Sequence, residues 1–216
     1  DLSEGTQLTM GVSDKTRGCR LGGIKYVGPQ PYNSQGVNTI EFVTMASEGN
    51  TTDFGDLEDV PAVASSCSNR TRGVLFGGAA PTPGYSTDKI QYITIQSTGD
   101  AVDFGNMEQV TTYNAAAGNS VRGISGGNGA SPSNKIDYIT IATTGNAQDF
   151  GDMAVSLYAR SACASPTRVI FTGGQDAYAD CDHVTISTLG NSVDFGNLSL
   201  GNGYNQGFSN SHGGLS

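Results

Sequence analysis

The sequence predicts an all-β protein, a β-propeller of four-stranded antiparallel blades, and three observations support this class. One block recurs without gaps, and its copies begin at Thr39, Lys89, Lys135 and Asp180. The larger unit around the block recurs after 55, 50, 46 and 45 residues, and periods of 40–50 residues with strand-like content are typical of propeller blades. Within each unit apolar and polar residues alternate with the period of two that indicates strands rather than helices.

The recurring block reads as a strand, a tight turn and a second strand. KIQYITI alternates apolar and polar positions, a Gly-Asn or Gly-Asp pair follows, and Asp-Phe-Gly closes the block. Gly and Asn supply the positive φ that a tight hairpin needs. A Thr precedes the closing Asp at one constant spacing, as in Thr44 and Asp53 or Thr94 and Asp103. The block therefore predicts the third and fourth strands of a blade.

A second block, from the residue after Asp-Phe-Gly to a Gly pair, predicts the first and second strands. Its endings are TRGCRLGG, TRGVLFGG, VRGISGG and TRVIFTGG. The stretches PAVASSCSN and TYNAAAGNS are rich in small residues, which suits innermost strands that converge on an axis. The phenylalanines of Asp-Phe-Gly are predicted to fill the spaces between adjacent blades: Phe54, Phe104, Phe150 and Phe195.

The unit boundaries predict one propeller domain over residues 1–216. Four units are complete, and a partial fifth follows them: 1–55, 56–105, 106–151, 152–196 and 197–216. A four-bladed ring leaves the last segment spare, whereas a five-bladed ring needs two more strands. Five blades are favoured, because Asp1 stands where an Asp-Phe-Gly would have just ended, so preceding chain could supply those strands. This start also indicates a processed product or a segment of something longer.

Charge and composition exclude several functions. The formal net charge is −9, from 11 Lys and Arg against 20 Asp and Glu, so the chain lacks the basic footprint of a nucleic-acid binder. No apolar stretch is long enough for a membrane span, and no membrane insertion is expected. The cysteines form no CxxC pair, which argues against zinc; disulfides are an alternative, but buried free thiols are favoured: Cys19, Cys67, Cys163 and Cys181.

The repeat resembles the kelch repeat, with a strand ending in Gly-Gly and an aromatic on the outer strand. The outer-strand Trp of kelch is replaced here by the Phe of Asp-Phe-Gly. KIDYITIATTGNAQDFGDM at 135–153 is more similar still to kelch-like repeat proteins of tailed bacteriophages, especially marine cyanophages. That resemblance covers nearly the whole chain. It implies a structural or attachment protein of a virion, on a head surface, tail fibre or baseplate, whose partners are other virion proteins.

One variable loop in each unit is the predicted binding region. The connection between the Gly pair and the third strand shrinks from residues 24–38 in the first unit to 175–179 in the fourth. Variation confined to one face suggests that this face meets a partner. The candidate residues are tyrosines, whose rings suit recognition, although they could equally pack their own loops: Tyr26, Tyr32, Tyr85 and Tyr178.

No enzyme motif is found, and no cofactor or metal is expected. His183 stands where other units have Phe or Tyr, so it is predicted to fill an aromatic position. The Asp of Asp-Phe-Gly could ligate calcium, but a turn in which it bonds backbone amides is favoured. The repeated Arg of the second strand is expected to pair with an acid or a carbonyl. Paired carboxylates of a glycosidase are a minor alternative, and a glycan-binding lectin is the main one.

Overall fold

The computed structural model describes residues 1–28, 33–80, 85–131 and 133–208. These residues form four antiparallel four-stranded sheets, each with its strands in sequence order. The chain is therefore an all-β propeller of four-stranded blades, as the repeat predicts. The described strands are β1 Met10–Ser13, β2 Arg17–Val27, β3 Asn33–Thr44, β4 Thr52–Asp56, β5 Ser65–Ser68, β6 Arg72–Ala80, β7 Tyr85–Thr94, β8 Val102–Asn106, β9 Ala115–Gly118, β10 Arg122–Asn128, β11 Ser133–Thr140, β12 Gln148–Asp152, β13 Ser161–Ala164, β14 Arg168–Thr172, β15 Asp180–Thr185 and β16 Val193–Asn197.

The small-residue strands lie innermost, which confirms the predicted strand order. Around the axis β1 contacts β5, β5 contacts β9, and β9 contacts β13. A cavity lies on the axis between these strands, and residues 205–207 line it together with Gly11, Ser66, Ala116 and Ala162. The described residues thus contain four complete blades and the inner edge of a fifth position. The preference for five blades stays a prediction.

The Asp-Phe-Gly motif forms a β-bulge at the same place in every blade. In the third blade Ile136 pairs with Gly151 and Asp137 pairs with Asp149, so Phe150 is the extra residue. The bulge aims each Phe at the following blade. Three of the four are buried as predicted, but Phe195 is 53% exposed because no described strand follows on its side.

The repeated arginines tie consecutive blades together through backbone carbonyls, as the sequence predicts. Nη1 of Arg72 donates to the Ile141 carbonyl at 2.8 Å, and its guanidinium stacks on Tyr92 with its carbon 4.4 Å from the ring centre. Arg17 and Arg122 repeat both contacts with their own neighbours. Each of these three arginines therefore links its own blade to the next one.

Two smaller predictions are also confirmed. His183 fills the aromatic position, with its ring centre 5.7 Å from that of Phe195, as Tyr138 does with Phe150 at 5.9 Å. All four cysteines are free, and three of them are buried: Cys19, Cys67 and Cys181. Burial raises the pKa of the Cys67 thiol to about 12, so this thiol is a packing group.

Candidate functional site

The variable connections and the linkers between blades share one face of the propeller, called here the loop face. Tyr26 accepts a hydrogen bond from Nε2 of Gln7 at 2.6 Å, which joins the first hairpin to the linker before β1. The backbone N–H of Gln175 likewise donates to the Tyr158 carbonyl at 2.9 Å, which joins the fourth connection to a linker. The tight turns between third and fourth strands lie at the opposite ends of those strands.

The predicted loops are shorter than the sequence suggests, because the flanking strands continue into them. β2 runs on to Val27, and β7 begins at Tyr85. Tyr26 and Tyr85 therefore lie on strands, which corrects their placement on loops. The blades differ in how far the hairpin of the second and third strands extends.

The four predicted tyrosines do not form one site. Tyr26 is half exposed, Tyr178 is exposed, and Tyr32 lies outside the described residues. Tyr85 is half-buried: burial raises the pKa of its hydroxyl, which also meets the Val60 backbone and Asp59. For Tyr85, then, packing against its own linker is the better interpretation.

The structure reveals a different tyrosine cluster, at the mouth of the axis on the loop face. The ring centre of Tyr113 lies 6.0 Å from that of Tyr158 and 5.8 Å from that of Tyr204. Burial, then the nearby Tyr204 and Tyr158 hydroxyls, raise the pKa of Tyr113. Tyr204 is 64% exposed, so the cluster presents a ring to solvent. Below it lies a cavity of about 130 Å³ that Asn114, Arg160 and Asn205 help to line.

The backbone at the mouth of the axis adopts an unusual left-handed conformation. One residue at the start of each inner segment has a positive φ between 50° and 58°: Leu8, Val63, Tyr113, Ala159 and Tyr204. Non-glycine residues rarely adopt this region. Hydrogen bonds between these residues compensate, since Tyr113 N–H donates to Val63, Ala159 N–H to Tyr113 and Tyr204 N–H to Ala159, at 2.7–2.9 Å. The residues involved are not glycines or asparagines, so no sequence signal marked them.

A second feature that the sequence analysis missed is a buried polar side chain on each third strand: Glu41, Gln91, Asp137 and Asp182. The first two accept a backbone N–H from the preceding linker, from Ser3 at 3.0 Å and from Glu58 at 2.8 Å. Asp182 instead accepts Nη1 of the buried Arg160 at 2.8 Å. The available sequence signal was a polar residue between an Ile and an aromatic residue, which the first three alternating strands share.

Two of these carboxyl groups have strongly shifted pKa values of opposite sign. Burial raises the pKa of Asp137 to about 6, aided by Glu108 and Asp149 and opposed by the Glu108 N–H and Lys135. Burial also opposes ionisation of Glu41, but hydrogen bonds from Ser3, Arg20 and Thr51 outweigh it and lower its pKa to about 2. Asp137 lies in a blade interior rather than a cleft, so its shift reflects packing rather than a poised acid.

The repeated aspartates show no ligand arrangement in the described ranges. Asp53, Asp103 and Asp149 are exposed, and only Asp194 accepts a backbone N–H, from Gly196 at 3.0 Å. The predicted turn, in which the Asp accepts a backbone N–H, is therefore present in the fourth unit. Across residues 1–28, 33–80, 85–131 and 133–208 no three His, Cys, Asp or Glu side chains form a group that could hold a metal ion. The same residues contain no helix long and apolar enough to cross a membrane.

Comparison with known proteins supports the fold alone. No family model matches the sequence, and no curated protein does either. The solved structure of YjhT superposes with a TM-score of 0.77 at 9% sequence identity, over 95% of this chain and 75% of that one. At this identity the likeness extends to the propeller architecture and not to activity.

Proposed function

We propose that this chain is a non-enzymatic structural or attachment protein of a bacteriophage virion that docks onto another virion protein through its loop face. The observation that carries the proposal is the tyrosine content of that face. Six described tyrosines lie there, on linkers, extended hairpins or the fourth connection, and five of them remain available once Tyr85 is assigned to packing against its linker: Tyr26, Tyr113, Tyr158, Tyr178 and Tyr204. Tyrosine is enriched in protein interfaces because its ring offers a large apolar area and a polar tip.

The rest of the architecture supports a rigid scaffold. In the first three blades the repeated Arg and Phe side chains are engaged in contacts between blades, so they serve packing rather than chemistry. The hairpins differ from blade to blade, which suits one asymmetric protein partner better than several equivalent ligands. The virion assignment itself comes from the resemblance of the repeat to phage kelch-like proteins.

The first experiment is density-gradient fractionation of the source material, with this chain followed by peptide mass spectrometry. The proposal expects it to cofractionate with particles that contain major capsid protein. Purified chain should then rebind particles stripped of it, and Tyr204→Ser should weaken rebinding at least tenfold. Val121→Ser is the matched control, because Val121 is similarly exposed but lies at the opposite face. Recovery only in the soluble fraction would contradict the virion assignment.

The tyrosine cluster at the mouth of the axis favours a second candidate function, a lectin-like propeller that binds host-surface glycan. Aromatic rings beside a small polar cavity are a common arrangement for a sugar ring, which offers C–H faces and hydroxyls. A glycan array with the wild type and the Tyr204→Ser variant tests this function. Binding of one glycan class that the variant loses supports the lectin, and an empty array argues against it.

A further inference from the structure

We propose that the open face between the fourth and first blades binds a β-hairpin with the third- and fourth-strand pattern of this repeat, joined by a peptide bond to Asp1. The hairpin would complete the outer half of a fifth blade, whose inner edge is residues 204–208. This proposal rests on contacts between blades and is independent of the proposed function.

The fourth blade carries the same outer contact residues as the first three blades, but no described residue of a following blade covers them. Phe54, Phe104 and Phe150 are each covered by the next blade, whereas Phe195 is open to solvent. A methyl group placed on Gly105 or Gly151 would lie 2.5 Å from the next hairpin, but one on Gly196 would meet nothing within 4 Å. Arg168 is exposed where the preceding arginines reach the next blade.

The first blade exposes the complementary apolar surface, the one that each later blade buries against the blade before it. Leu2, Val43 and Met45 are 50%, 38% and 53% exposed. Their equivalents in the later blades are all buried against the blade before them: Leu57, Met107 and Met153 for Leu2, Ile93, Ile139 and Val184 for Val43, and Ile95, Ile141 and Ile186 for Met45. Exposed apolar residues grouped in this way mark an interaction surface.

The contacts of Asp1 define where the hairpin joins the first blade. At each blade junction the residue after Asp-Phe-Gly donates its N–H to the turn Asp or Asn of the next blade, as Asp152 does to Oδ1 of Asn191 at 3.0 Å. Asp1 already makes this contact, with its nitrogen 2.6 Å from Oδ1 of Asn50. Its carbonyl accepts the Thr51 N–H at 3.0 Å, as that of Asp152 accepts the Ser192 N–H at 2.8 Å. Asp1 is therefore placed as the residue that follows a fourth strand.

An axial cavity of about 590 Å³, lined by the inner strands of all four blades, reaches the exposed side of the first blade. The first blade contributes Leu2, Val43 and the Arg20–Glu41 ion pair to its lining, and Phe208 lines it too. The occupant must carry β-branched residues to cover Phe195 and a Phe to cover Met45. The third- and fourth-strand block of the repeat has both.

The test fuses a copy of residues 133–151 directly before Asp1 and asks whether Phe195 becomes buried. In the unfused chain Phe195→Ala should change the folding equilibrium constant less than about threefold. In the fused chain the same substitution should lower it by roughly a hundredfold or more, as Phe150→Ala does in both chains. A fusion whose hairpin carries Asp in place of its Ile141 equivalent is the control and should restore the small effect.

Hydrogen exchange gives a second readout that does not depend on a stability change. Amides of residues 193–196 should gain protection in the fused chain and not in the control fusion. An equally small effect of Phe195→Ala in both chains, without added protection, would overturn the proposal. A dimer of the unfused chain that Phe195→Ala dissociates would overturn it as well, because a second copy would then be the occupant.

Discussion

Replacing Asp137 with Asn should remove a pH-dependent loss of stability from the third blade. Asp137 is a buried carboxyl group whose Oδ1 has no hydrogen-bond partner among the described residues. Its pKa in the folded chain is raised, chiefly by burial, from an ordinary 3.8 to about 6. The substitution has a precedent in this chain, because the equivalent residue in the second blade is the neutral amide Gln91.

The magnitude follows from the difference between folded and unfolded pKa values. A raised carboxyl pKa means that the folded chain holds the proton more tightly, so deprotonation favours unfolding. Stability therefore falls as pH rises from about 4 to above 6. The shift corresponds to about 3 kcal/mol once the group is ionised in both states, and roughly half of this is lost between pH 5 and 7.5.

The assay is urea unfolding of wild type and Asp137→Asn at several pH values between 5 and 7.5. The wild type should lose about 1.5 kcal/mol of unfolding free energy over this range relative to the variant. Only the slope is compared, because the new amide changes the absolute stability by its own hydrogen bonding. Asp182→Asn is a poor substitute, since Arg160 holds that carboxylate in an ion pair. Parallel pH profiles for the wild type and the variant would refute the reasoning.

Two further predictions concern contacts between blades, and a third concerns the buried Glu41 of the first blade. Gly105→Ala should cost roughly 2–5 kcal/mol in urea unfolding, because its methyl would strike the next hairpin at a positive φ, whereas Gly196→Ala should cost only the conformational part, about 1–2 kcal/mol. Arg72→Ala should cost about 1–2 kcal/mol through the lost carbonyl bond and ring stacking, and Arg168→Ala should leave the melting temperature nearly unchanged. Glu41→Gln should lower stability at pH 7 and flatten the acid limb of the pH profile, because the stabilisation from its lowered pKa is lost as pH falls from about 4.5 toward 2.

The sequence by itself determined the strand order and the contacts that recur in every unit. Alternation defined the third strand, small residues marked the inner strand, and constant spacing located Phe150 and Arg122 at equivalent places in their blades. These features were readable because each is repeated, so the same packing requirement is written several times in one chain.

Only the tertiary structure decided which of the equivalent positions are covered by a neighbouring blade and which face carries the tyrosine cluster. Phe195 lies in the same Asp-Phe-Gly motif as Phe150, yet its exposure depends on whether another blade lies beside it. Tyr113 and Tyr204 are far apart in the sequence and meet only because both begin inner segments at the mouth of the axis. Local pattern sets each strand, but contacts between blades join residues far apart in the chain, by 39 positions in one hydrogen bond and 78 in another, and these depend on how the ring is assembled.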